Sequence, residues 1–121
     1  MDPQILLADD EPTILRLLLN VLEDAGHSTL TASSSTEAVD VFLQQTDKIV
    51  ALVLDVNLPP GGAEEVLEAV LARRPEIPYL IVSGKPHDEP LASQVAQSPT
   101  SHFLPKPFRT AELLAWVEAL P

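Results

Sequence analysis

Short apolar runs alternate with amphipathic stretches along this chain. Ile5–Ala8 is continuously apolar and ends in acidic residues. Residues 12–25 follow a helical pattern, with Arg16, Asn20 and Glu23 on one polar face and leucines and valines around the rest. Pro12 suits the first turn of that helix, and Gly26 is a natural stop. Ser28–Ala32 alternates polar and apolar positions, with two threonines favouring a strand. Ser34-x-x-Glu37 predicts a capping box that opens a helix through about Gln45. Ile49–Leu54 is the longest β-like run and stops at Asp55. A Pro/Gly turn at Asn57–Gly62 leads into a predicted helix over 63–74. Glu64 and Glu65 in its first turn and Arg73 and Arg74 in its last complement the macrodipole. Ile77–Val82 reads as a buried strand closed by Ser83-Gly84. A short helix is expected over 88–97, with Asp88 as cap and Leu91 and Val95 as its apolar side. A brief strand follows at 102–104, then a last helix capped by Thr110 and carrying Leu113, Leu114, Val117 and Leu120.

Five β–α units in succession predict an α/β fold, a doubly wound parallel sheet with helices on both faces. The runs at 5–8, 49–54 and 77–82 are continuously apolar and belong at its centre. The half-polar strand at 28–32 and the short one at 102–104 belong at its edges. Strand order 2-1-3-4-5, the flavodoxin-like (βα)5 arrangement, satisfies both conditions.

Length and composition narrow the class. With 121 residues, 45% hydrophobic and 21% charged, the chain reads as one domain spanning 1–121. Surface scaling leaves roughly 6,400 Å² exposed of about 19,000 Å² unfolded, so a core forms without staples. The absence of cysteine excludes a disulfide framework, a thiol nucleophile and a thiolate-held metal. A formal charge of −11 weighs against direct contact with nucleic acid or an anionic membrane. No stretch resembles a signal peptide or a membrane span, which points to a cytoplasmic protein.

In such a sheet the site lies beyond the carboxyl ends of the strands, where strand order reverses. Asp9, Asp10 and Asp55 stand just past the first and third strands there. Ser83 comes from the fourth strand and Lys106 from the loop after the fifth. Taken singly, each has an ordinary reading. Asp9 and Asp10 would cap a helix, Asp55 and Ser83 would form turns, and Lys106 would be a solvated loop lysine. Together they demand another account, because three close carboxylates do not all stay ionised without a cation. A hard divalent ion held by oxygens, Mg²⁺ or Mn²⁺, resolves this. A carboxylate beside such an ion can attack phosphorus, and Lys106 and the Ser83 hydroxyl can share the charge of the transferred group. The pattern points to phosphoryl transfer to an aspartate.

The segments Ile5-Leu6-Leu7-Ala8-Asp9-Asp10-Glu11-Pro12, Leu52-Val53-Leu54-Asp55-Val56-Asn57-Leu58-Pro59, Ile81-Val82-Ser83-Gly84 and Phe103-Leu104-Pro105-Lys106-Pro107-Phe108 resemble the receiver domains of two-component response regulators. The resemblance covers nearly all of 4–120. It implies that Asp55 is the phosphoacceptor. It implies that Asp9, Asp10, Asp55 and the main-chain carbonyl of Asn57 hold the metal. Ser83 then moves to the phosphoryl group, Lys106 is the family's lysine, and Lys106–Pro107 is a cis bond. Phe103 is the aromatic switch, flanked by the 88–97 helix and the last helix. The implied partner is a histidine kinase or a histidine phosphotransfer domain, with a downstream effector or a phosphorylation-dependent dimer as output. The domain would signal by taking up and losing its own phosphoryl group rather than by turning over a separate substrate.

Two departures accompany the resemblance. Gly62-Ala63 replaces the Asp-Gly pair usual after the phosphoacceptor, with Gly61-Gly62 placed to take over the loop's role. Ser98-Pro99-Thr100-Ser101 replaces the Gly-Ala that commonly precedes the fifth strand. The rival readings are a pseudo-receiver that ignores phosphate and an aspartate-nucleophile phosphatase. The first should have lost part of the acidic, hydroxyl and lysine set. The second usually carries an acid two residues after its nucleophile, where this chain has Asn57. Met1 favours a receiver from a response regulator over one from a hybrid kinase.

Overall fold

The computed structural model describes residues 3–84, 95 and 98–120. In chain order the elements are β1 (Gln4–Ala8), α1 (Pro12–Asp24), β2 (Ser28–Ala32), α2 (Ser35–Gln44), β3 (Ile49–Asp55), α3 (Gly62–Arg73), β4 (Tyr79–Ser83), β5 (His102–Pro105) and α4 (Thr110–Glu118). The strands form one parallel sheet in the order β2-β1-β3-β4-β5. The expectation from apolar continuity holds. Leu6, Leu7, Leu52, Leu54, Leu80 and Ile81 of the three central strands are fully buried. The edges β2 and β5 are less buried, with half-buried or exposed positions at all but Ala32 and Leu104.

Alternation along each strand divides the core in two. Leu6, Leu52, Leu54 and Ile81 pack with Phe42 of α2 and Val66, Leu67 and Val70 of α3. Leu7, Val53, Leu80, Val82 and Leu104 pack on the other face with Leu18 and Leu22 of α1 and Leu113 and Val117 of α4. Val95, helical and buried, belongs to the first cluster. The rest of the 88–97 helix expectation, with Asp88 and Leu91, and His87 lie outside the described residues.

Several local expectations are corrected. The hydroxyl of Ser34 accepts from the Glu37 N–H at 3.0 Å, but the reciprocal arm reaches one residue further back. Glu37 Oε1 accepts from the Ser33 N–H at 2.6 Å. Thr110 is the first residue of α4, not its cap. Arg109 holds the cap position, and its N–H donates to Glu112 Oε1 at 3.2 Å. The fourth strand starts at Tyr79 rather than Ile77. Pro78 has no N–H to give a ladder, although its carbonyl accepts from the Leu52 N–H at 3.1 Å. Arg74 lies past the helical residues of α3. Its guanidinium donates to the carbonyls of Thr46 at 2.7 Å and Ile49 at 2.9 Å. The residue read as half of a dipole-complementing pair therefore clamps the α2–β3 connection.

The Ser98–Ser101 segment has its own bonding. Ser101 Oγ accepts from the Tyr79 N–H at 3.1 Å and from Ser98 Oγ at 2.8 Å. Trp116 Nε1 donates to the Thr100 carbonyl at 3.2 Å. Trp116 is half-buried. His27 is half-buried and His102 is exposed.

Candidate functional site

The strands carry their last residues to one rim. Asp55 is the final residue of β3, in register with Val82, one position before Ser83 at the end of β4. β1 ends at Ala8, so Asp9 and Asp10 turn off the rim before α1 begins. Two backbone bonds fix the neighbours. The Val56 N–H donates to the Val82 carbonyl at 2.9 Å, and the Lys106 N–H donates to the Ser83 carbonyl at 2.7 Å. The Lys106–Pro107 bond is cis, as the resemblance implies, and so is Pro59–Pro60.

Asp9 is 3% and Asp55 6% exposed, while Asp10 and Asn57 are exposed and Ser83 is fully buried. Lys106 Nζ lies 3.7 Å from Asp9 Oδ2 and 3.6 Å from Asp55 Oδ2. The other oxygen of each buried carboxylate serves the backbone. Asp9 Oδ1 accepts from the Glu11 N–H at 2.9 Å, and Asp55 Oδ1 accepts from the Asn57 N–H at 3.3 Å. Asp9 therefore also fills the helix-start role that its sequence position suggests, because Glu11, at the cap position, makes no side-chain cap bond. Burial pushes the Asp9 carboxyl above the ordinary carboxylate value. The charges of Asp55 and Asp10 push the same way, against the Glu11 N–H and Lys106.

This donor set fits a hard divalent cation. Asp9, Asp10 and Asp55 each offer an oxygen, and these oxygens lie within 4.8 Å of one another. Opposed ligands around Mg²⁺ stand roughly 4.2 Å apart, so small rotations suffice. Two of the three carboxylates are buried and, among the described residues, Lys106 is the lysine paired with both, a charge balance that a divalent ion completes.

Gly61 and Gly62 lie at the turn into α3. Gly62 has φ +75°, and a Cβ there would stand 3.3 Å from the Val56 carbonyl. A Cβ on Gly61 would strike the Glu65 side chain. The chain thus turns into α3 on glycine. Phe103 is half-buried and packs against the core on the α2/α3 face, together with Val95. The expected flanking by the last helix is not what the fold provides, since α4 packs on the opposite face. Ser35 escaped the sequence reading. It is fully buried, and its hydroxyl accepts from the Gly61 N–H at 2.9 Å. A serine run beside a helix cap was the only signal for it.

Residues 5–118 match the sequence profile of the Response regulator receiver domain. The alkaline phosphatase synthesis transcriptional regulatory protein PhoP of Bacillus subtilis is 32% identical over 122 aligned residues, covering 99% of this chain and 49% of the relative. The chain spans about half the length of the curated relatives it matches. Among solved structures, a response regulator receiver domain protein from Clostridium thermocellum superposes with a TM-score of 0.87 at 27% identity, covering 96% of this chain and 91% of the other. The chemotaxis protein CheY4 of Vibrio cholerae shares the fold along the full length of both chains, with a TM-score of 0.85 at 22% identity. By the extent of the matched segment, and with no part of the acidic, hydroxyl and lysine set lost, the chain belongs to the response regulator receiver domain family.

Proposed function

We propose that this receiver domain accepts a phosphoryl group on Asp55 from a phosphohistidine, in a histidine kinase or a histidine phosphotransfer domain. The observation that carries the reading is the placement of the Asp55 carboxylate. It ends a buried strand, 3.6 Å from the Lys106 ammonium, with the Asp9 and Asp10 oxygens within 4.8 Å. Nothing in strand packing asks for an acid there.

An Asp55 oxygen attacks phosphorus as the N–P bond of the donor breaks. The imidazole, protonated on its other ring nitrogen, leaves neutral with the N–P electron pair, and an acyl phosphate forms. Asp9, Asp10, Asp55 and the Asn57 carbonyl would hold Mg²⁺ or Mn²⁺, which when bound neutralises charge on the phosphoryl oxygens. Lys106 supplies a cation to the same oxygens, and the Ser83 hydroxyl a hydrogen bond. Water later attacks the phosphorus, releasing inorganic phosphate and restoring the carboxylate. The domain consumes its own acyl phosphate and acts on no separate substrate. We assign residues 1–121 to this single domain and place it in the cytoplasm. Its phosphorylation state biases binding of an effector domain or protein, or pairing with a second copy.

The test is uptake from a small phosphodonor with Mg²⁺, read by intact mass. The wild-type chain gains one phosphoryl group. Asp55→Asn, nearly isosteric, gains none and keeps the fold. Labelling of Asp55→Asn at the wild-type rate overturns the assignment.

A further inference from the structure

Ser35 touches the β3–α3 loop at two points. Its N–H donates to the Pro59 carbonyl at 2.8 Å. Its hydroxyl accepts from the Gly61 N–H at 2.9 Å. One fully buried residue at the start of α2 thus brackets Pro59-Pro60 from outside, 26 residues away in sequence from Gly61. Within the loop, the Gly62 N–H donates to the Leu58 carbonyl at 2.6 Å and the Ala63 N–H to the Val56 carbonyl at 3.3 Å. Leu58 is fully buried, while Asn57 beside it is exposed. The side-chain bond within the turn is the 3.3 Å contact from the Asn57 N–H to Asp55.

We infer that Ser35 is a positioning residue for the Asn57 carbonyl, acting through the Pro59–Gly61 segment. This rests on the proposed cation site, in which that carbonyl is a ligand. Gly61 and Gly62 give this loop more backbone freedom than residues with a Cβ would, so an outside anchor has something to restrain. Ser35 is poorly explained as a helix device. The adjacent Ser34 already caps α2, and alanine in the first turn of a helix is at least as favourable as serine. What the Ser35 hydroxyl adds is the bond to Gly61. Gly61 is exposed while Ser35 is fully buried, and the bond between them is part-buried, so its loss costs less than that of a fully buried bond and frees the loop's position.

Ser35→Ala separates positioning from stability, with Ser34→Ala as its counterpart. Mg²⁺ affinity is measured by amide NMR titration of the full chain, alongside urea unfolding and amide hydrogen exchange in the ion-free protein. Ser35→Ala should weaken Mg²⁺ about five- to tenfold, the worth of roughly one net hydrogen bond. Exchange at Gly61 to Ala63 should quicken, with a near-wild-type urea midpoint. Ser34→Ala should lower the midpoint and leave Mg²⁺ affinity unchanged. A Ser35→Ala protein with wild-type Mg²⁺ affinity overturns the inference, whatever its exchange at 61–63. So does one whose affinity falls only in step with its urea midpoint. If the wild-type chain binds no Mg²⁺, the cation site itself fails and the positioning role with it; faster exchange at 61–63 then marks Ser35 as a loop anchor alone.

Discussion

The main-chain N–H of Lys106 donates to the carbonyl of Ser83 at 2.7 Å, so the two donors proposed for the site ride on one backbone bond between the ends of β4 and β5. The β4–β5 register, Ser83 opposite Pro105, places Lys106 one residue beyond the ladder. The ammonium can then swing between Asp9 and Asp55 while its backbone stays fixed.

Removing that ammonium should have opposite effects on metal binding and on the ion-free fold. Lys106→Ala takes a positive charge away from a cation site, and should tighten Mg²⁺ roughly tenfold at low ionic strength. Without metal, the same change leaves two buried carboxylates facing each other. The separations of 3.6 and 3.7 Å and the 29% exposure of the lysine keep the loss to about 1 kcal/mol. Labelling of Asp55 should persist but no longer alter conformation, as the family resemblance implies. Mg²⁺ titrations and urea curves of both proteins check this; weaker Mg²⁺ binding in the variant would be the wrong sign.

Burial of Asp9 gives the ion-free protein a defined pH dependence. Its carboxyl is raised above the ordinary value, so the folded state holds a proton over a window in which the unfolded chain has released it. This group costs nothing below the unfolded value. Its cost grows as pH rises through the folded value and is complete above it. Asp9→Asn, which removes the charge, should therefore be more stable than wild type at pH 7.5 without metal. The advantage should shrink as pH falls toward the ordinary carboxylate range, and saturating Mg²⁺ should reverse it. Urea midpoints with a chelator, compared pairwise across pH, are the measurement. An advantage that grows on acidification would contradict the burial argument.

The sheet was legible because burial on both faces forces continuous apolar strands, as in Leu52–Leu54, while an edge such as Ser28–Ala32 alternates. The site was legible because a doubly wound sheet delivers strand ends to one rim, so Asp9, Asp55, Ser83 and Lys106 could be brought together without coordinates. Contacts made by single side chains across the fold were not legible. Arg74 sits in a helix-terminal basic pair, and nothing local says that it reaches back to Thr46 and Ile49. Ser101 and Trp116 tie the start of β5 to β4 and α4 through hydrogen bonds that no periodicity encodes. Phe103 was placed at the correct edge, but its face follows from strand phase, which a four-residue strand fixes poorly.

Arg74 supplies a stability test independent of the site. Its guanidinium makes two hydrogen bonds to carbonyls of one connection. Truncation leaves these acceptors without their charged donor, and Arg74→Ala should cost about 1.5–3 kcal/mol. Both bonds leave one nitrogen, Nη1, and an ammonium also carries several donors, so Arg74→Lys should recover part of the loss, limited by its shorter reach. Arg73→Ala, in the last turn of α3, should cost about 0.3–1 kcal/mol, a dipole effect alone. Equal losses for the two alanine variants in urea would show that the clamp adds nothing.

Phosphorylation should be felt first where the donors sit. It adds about −1.5 to −2 charges at the end of β3, against a fully buried Ser83 and the Lys106 ammonium. Ser83 and Lys106 share a backbone bond, so drawing either toward the new oxygens pulls on the junction of β4 and β5. Phe103 pairs with Ile81 across that ladder and packs with Val95 on the α2/α3 face. A shift of the junction should therefore repack Phe103 on that face, while α4 stays held by Leu113 and Val117 in the opposite core and by the Trp116 bond to Thr100. Amide exchange, with and without a beryllofluoride-type phosphoryl mimic, should change most at Ser83–Gly84 and 103–106. β2, on the far side of β1, should scarcely change. Phe103→Ala should leave Asp55 labelling intact and shrink the response at 103–106 by more than half. Changes of equal size in β2 and at the β4–β5 junction would refute this route even in a fully phosphorylated protein.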